Sequence, residues 1–313
     1  MTTNIQNTST DNPLASMFRK KKMSLFLPSK GRWYPENSLI LDIDGSLPVY
    51  SMNSSDDIKF RTGDISMSGR TTYSIIKSCI PGILQPESIP NIDIDSILLA
   101  IRLASYGDNF SMAVAVPNTT IAKTIDVSLK LLLSNLIQSN PNWDDEISIE
   151  DDSGNILTLV IEPISLQNIF STSKTLYQQR QTLIKNAEAD PDIKDEKLFA
   201  DGLDQLTDTA VQLICASISK LTLVDSNKTV LLEIKSDSPQ GAAQLLQVIK
   251  QLDIEYFNAI RDHLDAQRKK FSLYIPLQTS TEAELQAGAP LEWNTDITFV
   301  GSNFLPAAKG SSL

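Results

Sequence analysis

Histidine and cysteine are scarce in this chain. Its 313 residues include one histidine, His263, and two cysteines, Cys79 and Cys215, which lie far apart in the sequence. A structural zinc site needs closely spaced pairs of these ligands, and a disulfide framework needs several cysteines. The composition therefore predicts neither a metal cluster nor a disulfide scaffold. We expect both cysteines to be small buried side chains.

Long apolar runs and an excess of positive charge are also missing. No stretch approaches the roughly 18 apolar residues of a membrane-spanning helix, so we expect no membrane insertion. The net charge is -11 and the isoelectric point is near 4.6. Because binding to a phosphate backbone requires a basic face, the sequence argues against nucleic acid as a partner.

The residues that are present have the proportions of an ordinary globular protein, with 41% hydrophobic and 21% charged residues. Alternating and helical apolar patterns predict an α+β fold with a mainly helical middle. We expect a flexible polar arm at residues 1–24 and a mixed domain at 25–163. A helical domain with an inserted hairpin at 221–235 is predicted for residues 164–270, and a short β segment with a tail for 271–313.

Two turn signals predict β-hairpins in the first half of the chain. Asp44-Gly45 lies between apolar residues 39–43 and 47–52, and this dipeptide strongly favours a hairpin. Residues 147–161 alternate between apolar and polar side chains around a turn at 151–155. We expect an antiparallel strand pair at each place.

Capping residues mark two helices. Residues 91–107 carry a helical stripe of apolar side chains, with Asp93 or Asp95 available as a cap and Gly107 at the end. Ser238-Pro239 combines a capping residue with proline at the first helical position. We expect helices to begin at these two points.

The sequence shows no recognisable group of catalytic side chains. The second hairpin carries six carboxylates, at positions 144–146 and 150–152, which would suit a divalent cation, although acidic turns are usually solvated. His263 has no cysteine or second histidine near it, and no nucleophile–base pair is apparent. We therefore predict no enzyme activity, no catalytic residues and no cofactor. A metal-assisted hydrolase is the weaker alternative.

Residues suited to protein contacts follow the polar arm. Lys30, Arg32, Trp33 and Tyr34 combine cationic side chains with rigid aromatic rings, which are enriched at the centres of protein interfaces. The alternative is that Trp33 and Tyr34 close the local hydrophobic core. Near the other end of the chain, Phe304 and Leu305 are predicted to anchor the tail on a neighbouring protein. Together with the four residues at 30 and 32–34, Phe304 and Leu305 form the set of candidate partner-binding residues.

The order of several motifs between residue 26 and about residue 164 resembles the baseplate hub subunits and hub-assembly proteins of T-even-type contractile-tailed bacteriophages. The motifs are Leu-Pro-Ser-Lys-Gly at 27–31 with Trp-Tyr-Pro at 33–35, then residues 49–57, 75–80, Asp95 and 98–107. Some relatives carry a cysteine pair near the turn that corresponds here to residues 116–120, where this chain has none. The resemblance covers a little under half of the chain.

This resemblance implies a structural protein of the tail baseplate that binds other tail proteins and is oligomeric within the assembly. An assembly chaperone that is absent from the finished virion is the alternative. The implied location is the virion, with the host cytoplasm during assembly.

Overall fold

The computed structural model describes residues 19–62, 69–189, 209 and 211–299. They form the α+β fold that the sequence predicts, with helices and antiparallel strand pairs. None of the described helices is both long and apolar enough to cross a membrane.

The elements up to residue 139 are β1 (Lys21–Leu25), β2 (Leu47–Tyr50), α1 (Ser54–Thr62), α2 (Arg70–Cys79), a 3-10 helix (Pro86–Ser88), α3 (Asn91–Tyr106), β3 (Asn109–Ala115), β4 (Ala122–Ser128) and α4 (Leu129–Ser139). The next are β5 (Glu146–Glu150), β6 (Ile156–Ile161), α5 (Leu166–Ala189), β7 (Ile218–Val224), β8 (Val230–Lys235), α6 (Pro239–Gln251) and α7 (Ile254–Lys269). The last are β9 (Leu273–Tyr274), β10 (Gln278–Thr279), α8 (Glu282–Gln286), β11 (Glu292–Trp293) and β12 (Asp296–Ile297).

The first hydrophobic core is built around α3, which is buried on most of its surface. Apolar side chains of β1, β2, α2, β3, β4 and α4 complete this core. Residues 273–299 also contribute to this core, with Leu273, Trp293, Ile297 and Phe299 buried in it. The rings of Phe299 and Phe110 have centroids 5.8 Å apart. The predicted C-terminal β segment therefore belongs to the first core.

The second hydrophobic core lies on one face of a four-stranded sheet with the order β5-β6-β7-β8. Leu159, Leu221 and Ile234 contribute from the sheet, and Leu245 of α6 and Ile260 of α7 contribute from the helices. The hairpin predicted at 221–235 thus extends the sheet of the hairpin at 147–161. The sheet joins chain segments on both sides of the boundary expected at residue 163.

The predicted hairpin around Asp44-Gly45 is wrong in its strand pairing. Residues 47–50 do form a strand, but its partner is β1, and Leu25 lies opposite Leu47. Both leucines are fully buried whereas Ile43 is fully exposed, so pairing with β1 buries more apolar surface. Because β1 begins at Lys21, the end of the predicted polar arm is part of the fold. Residues 1–18 of that arm lie outside the described residues.

Helix α3 ends as predicted but is capped differently at its start. Gly107 follows its last turn with φ 89°, a conformation that favours glycine. The helix begins after Pro90 without a side-chain cap, so the expectation for Asp93 and Asp95 is wrong. Asp95 instead accepts the backbone N–H of Phe299 at 2.6 Å. Asp93 accepts the backbone N–H of Ser29, so both carboxylates make contacts with distant parts of the chain.

Cys79 and Cys215 are free thiols and are buried, as the sequence predicts. Cys79 lies in the first core and Cys215 in the second.

Gly82 fixes the position of the turn at residues 40–45. The N–H of Ile40 donates to the carbonyl of Gly82 at 2.8 Å. A Cβ at position 82 would lie 2.5 Å from the Ile40 carbonyl oxygen and 2.8 Å from a Leu47 methyl carbon. We expect Gly82→Ala to lower the free energy of unfolding by about 1–3 kcal/mol, because the backbone must move apart. Urea denaturation measures this loss.

Gly45→Ala is the control for that experiment. Gly45 has φ 82°, and a Cβ at this position would have no neighbouring atom within 4 Å. The substitution therefore strains only the local backbone. We expect it to cost about 1 kcal/mol. If Gly82→Ala proved no more destabilising than the control, the close approach of residues 40 and 82 would be refuted.

Candidate protein-interaction surface

A buried carboxylate holds the loop at residues 26–35, here called the anchored loop. The Asp93 carboxylate accepts the backbone N–H of Ser29 at 2.9 Å and also accepts the Ser29 hydroxyl. The hydroxyl of Tyr34 donates to the same carboxylate at 3.1 Å. Asp93 is completely buried, so these bonds fix the loop against α3 at Ser29 and Tyr34.

Burial raises the pKa of Asp93 to about 6, against the opposing effect of the Ser29 and Tyr34 donors. The cost of burying the negative charge therefore exceeds the stabilisation from the hydrogen bonds. Burial also raises the pKa of Tyr34 well above its usual value, with the Asp93 charge adding to the effect. Tyr34 thus remains a neutral donor.

Trp33 and Tyr34 connect the anchored loop to both hydrophobic cores. Tyr34 packs against the first core and Trp33 against the second. The ring of Trp33 meets Trp143 edge-on with centroids 5.9 Å apart. Trp143 is buried and donates its indole N–H to the Ile161 carbonyl at 3.1 Å. The packing role proposed for Trp33 and Tyr34 is therefore observed, and partner binding by them stays a prediction.

The anchored loop contains two non-glycine residues in the left-handed region. Lys30 has φ 57° and Trp33 has φ 66°. A side chain in this region costs roughly 1–3 kcal/mol, and a bulky residue is rare there. Such a conformation persists only when the surrounding contacts impose it, which the Asp93 bonds do here. Strained surface loops of this kind are concentrated at functional sites.

The two cations of the anchored loop differ in their environments. The Arg32 guanidinium pairs with the Asp145 carboxylate and lies 4.4 Å from the centroid of the Trp33 ring. Lys30 is exposed and forms no ion pair within the described parts of the chain. Lys30 is therefore the cation of the loop that remains available to a partner.

An apolar cleft of about 340 Å³ lies between the anchored loop and the turn at residues 40–45. Its walls include Phe26, Leu41 and Ile137, and Lys30 lies at its edge. Phe26 and Leu41 are 43% and 42% exposed, while the adjacent Ile40 and Ile43 are 60% and 109% exposed. We call this group of five the cleft surface: Phe26, Lys30, Ile40, Leu41 and Ile43. Exposed apolar side chains gathered around a concavity are typical of a protein-binding site.

Lys30 was predictable from the sequence as a contact residue, whereas the apolar part of the cleft surface was not. Residues 39–43 have the pattern of a strand, and a strand would have placed half of these side chains in the core. One feature of the sequence does indicate an exposed apolar side chain: Ile43 lies between Asp42 and Asp44, just before the turn glycine. Phe304 and Leu305, the other predicted contact residues, lie outside the described residues.

The acidic residues at the tip of the second hairpin, at 151–155, form a hydrogen-bonded turn. The Asp151 carboxylate accepts the backbone N–H groups of Ser153 and Asn155, each at 2.8 Å, and the Asn155 side-chain amide. The bonds from Asn155 lower the pKa of Asp151. Across residues 19–62, 69–189, 209 and 211–299, no three histidine, cysteine, aspartate or glutamate side chains are grouped as metal ligands.

Comparison with known proteins gave no match to a family model, to a curated protein or to a solved structure.

Proposed function

We propose that this chain is a structural component of the hub region of a phage tail baseplate and acts through contacts with other tail proteins. The cleft surface carries the proposal, because it combines exposed apolar anchors, a lysine that has no ion-pair partner among the described residues and a strained loop that Asp93 holds in place. Preorganised surfaces of this kind lose little entropy on binding.

The motifs behind the phage resemblance also lie together in space. The backbone N–H of Met52 donates to the Ser105 hydroxyl at 2.9 Å, and the Tyr106 hydroxyl donates to Asp57 at 2.6 Å. Residues 49–57 and 98–107 are therefore in contact, and the loop at 27–35 is bonded to the same helix. This arrangement supports treating the motifs as one structural unit.

The test uses the double variant Ile43→Asp/Lys30→Glu in the full chain. We expect the variant to lose co-purification with the baseplate proteins of its phage when they are expressed together, because an apolar anchor and an exposed cation are both removed. Leu291→Asp/Lys130→Glu is the matched control, since both positions are exposed and the charge change is the same. The control should co-purify like the unchanged protein.

Mass spectrometry of particles then separates the two assembly roles. A structural component is present in finished tails, which would place the protein in the virion, whereas a chaperone is found only in assembly intermediates from the host cytoplasm. Absence of the chain from both would contradict the proposal.

A further inference from the structure

A cavity of about 400 Å³ is lined by the start of α3, the end of α7 and part of β12. Ile92 and Phe271, which belong to the second core, provide its apolar part. The other residues that line it are polar or charged, so we call it the charged cavity. Its volume lies within the range of roughly 300–1,000 Å³ that is usual for small-molecule sites.

Helix α3 and strand β12 bring hydrogen-bond acceptors to the charged cavity. Asn91, the first residue of α3, has a buried Oδ1 atom that accepts no hydrogen bond from any described residue. Asp95, one turn later, already accepts the backbone N–H of Phe299 at 2.6 Å. Burial raises the pKa of Asp95 and the charge of Asp296 adds to this effect, so the two carboxylates lie near each other. Asn91 and the exposed Asp296 are therefore acceptors that a ligand can use.

The end of α7 brings cations to the same cavity. Arg268 and Lys269 lie in the last turn of this helix, and both line the cavity. The Arg268 guanidinium is paired with the Asp265 carboxylate on the same helix, so these two charges offset each other. Lys269 is exposed and forms no ion pair within the part of the chain that the structure describes. Lys269 therefore supplies the net positive charge of α7 at this cavity.

The charges of opposite sign in the charged cavity do not satisfy each other. Lys269 forms no ion pair with Asp95 or Asp296 in the described structure, although all three residues line the same space. Buried polar atoms are nearly always hydrogen-bonded, so the Asn91 oxygen also needs a donor. Water satisfies an amide oxygen but brings no charge to Lys269 or Asp296.

We infer that the charged cavity binds a small zwitterion of the α-amino acid type. The ammonium group of the ligand donates to Asn91 Oδ1 and faces Asp296, and its carboxylate accepts from Lys269. Hydrogen bonds with one ionised partner are roughly twice as strong as those between neutral groups. A ligand with a single charge would meet a repelling group, because the cavity contains charges of both signs. No residue of the cleft surface lines this cavity, so the inference is independent of the proposed function.

The first experiment compares ligands on the unchanged full chain. Each of the common α-amino acids is added separately, and thermal unfolding is recorded, since a ligand that binds the folded state raises the unfolding temperature. We expect at least one amino acid to stabilise the protein, and isothermal titration calorimetry should show one site per chain. The matched probe is the N,N,N-trimethyl derivative of that amino acid, which keeps both charges but has no N–H. It should bind more than about tenfold more weakly, because it cannot donate to Asn91.

The second experiment compares variants at the two ends of the ligand. Asn91→Leu removes the acceptor for the ammonium group, and Lys269→Met removes the donor to the carboxylate. We expect each to weaken binding of the stabilising amino acid more than about tenfold. Lys130→Met is the matched control and should bind like the unchanged protein, because Lys130 is exposed and does not line the cavity. Lys269→Met changes an exposed residue, so it remains informative if Asn91→Leu does not fold.

Failure of every α-amino acid to bind would overturn the inference and leave water as the content of the charged cavity. Equal affinities of Lys269→Met and the unchanged protein would also overturn it, as would equal affinities for the amino acid and its trimethyl derivative. These results do not bear on co-purification with tail proteins, which tests the proposed function separately.

Discussion

Asp93→Ala is expected to lower the free energy of unfolding by about 2–4 kcal/mol at neutral pH. The substitution removes the acceptor for the Ser29 N–H, the Ser29 hydroxyl and the Tyr34 hydroxyl, and it leaves these donors in a buried site. Urea denaturation measures the global loss. Hydrogen exchange gives a local readout, since the Ser29 amide should exchange faster than amides of the second core.

Asp93→Asn separates the acceptor from the charge. An asparagine side-chain oxygen still accepts the Ser29 N–H, but it does not titrate. We therefore expect this variant to keep the anchored loop in place and to bind partners like the unchanged protein. An Asn variant as unstable as Asp93→Ala at every pH would show that the bond from the Ser29 N–H is not sufficient to stabilise the loop.

The titration of Asp93 makes the free energy of unfolding depend on pH, and the sign of this dependence can be stated. The pKa of Asp93 rises from 3.8 to about 6 on folding, so the folded protein binds this proton more tightly than the unfolded chain. The stability from this group is fully present below pH 3.8 and is lost as the pH rises through about 6. Relative to Asp93→Asn, the unchanged protein should lose about 3 kcal/mol over this interval. Parallel stability curves for the two proteins would exclude this titration.

Trp143→Ala is expected to be similarly damaging, with a loss of about 3–5 kcal/mol. Trp143 is 3% exposed and packs against Trp33 on one side and Phe271 on the other. Truncation therefore leaves a cavity where the anchored loop meets the second core. Thermal unfolding monitored by far-ultraviolet circular dichroism measures the loss.

Trp143→Phe is the matched control. It keeps an aromatic ring in the site and removes the indole N–H that donates to the Ile161 carbonyl. We expect a smaller loss of about 1–2 kcal/mol, because most of the packing remains. Equal losses for the two variants would indicate that the hydrogen bond, and not the packing, dominates at this site.

Elements with strong local signals were predictable from the sequence. The turn at 151–155 forms because Asp151 bonds to residues two and four positions later in the chain. The helix at Pro239 begins as predicted, with the Ser238 hydroxyl accepting the Gly241 N–H at 3.1 Å. In each case the deciding interaction spans only a few residues, so the local sequence contains it.

Features that depend on distant residues were not predictable. The sequence around Asp44-Gly45 specifies a reversal of the chain, but burial of Leu25 and Leu47 decides which strands pair. Asp93 has the local character of a helix cap, yet its partner Ser29 lies 64 residues earlier. The cleft surface follows from both outcomes, since Leu41 of the turn and residues of the anchored loop line the cleft.

The burial of the two native thiols has a practical consequence. Burial, with the Asp56 charge adding to it, raises the pKa of the Cys79 thiol to about 12, and burial raises that of Cys215 to about 11. The thiolate, not the thiol, attacks alkylating reagents, so neither cysteine should be labelled at neutral pH. A single cysteine introduced at an exposed position would therefore carry a fluorophore or spin label selectively, without first removing the native sulfur atoms.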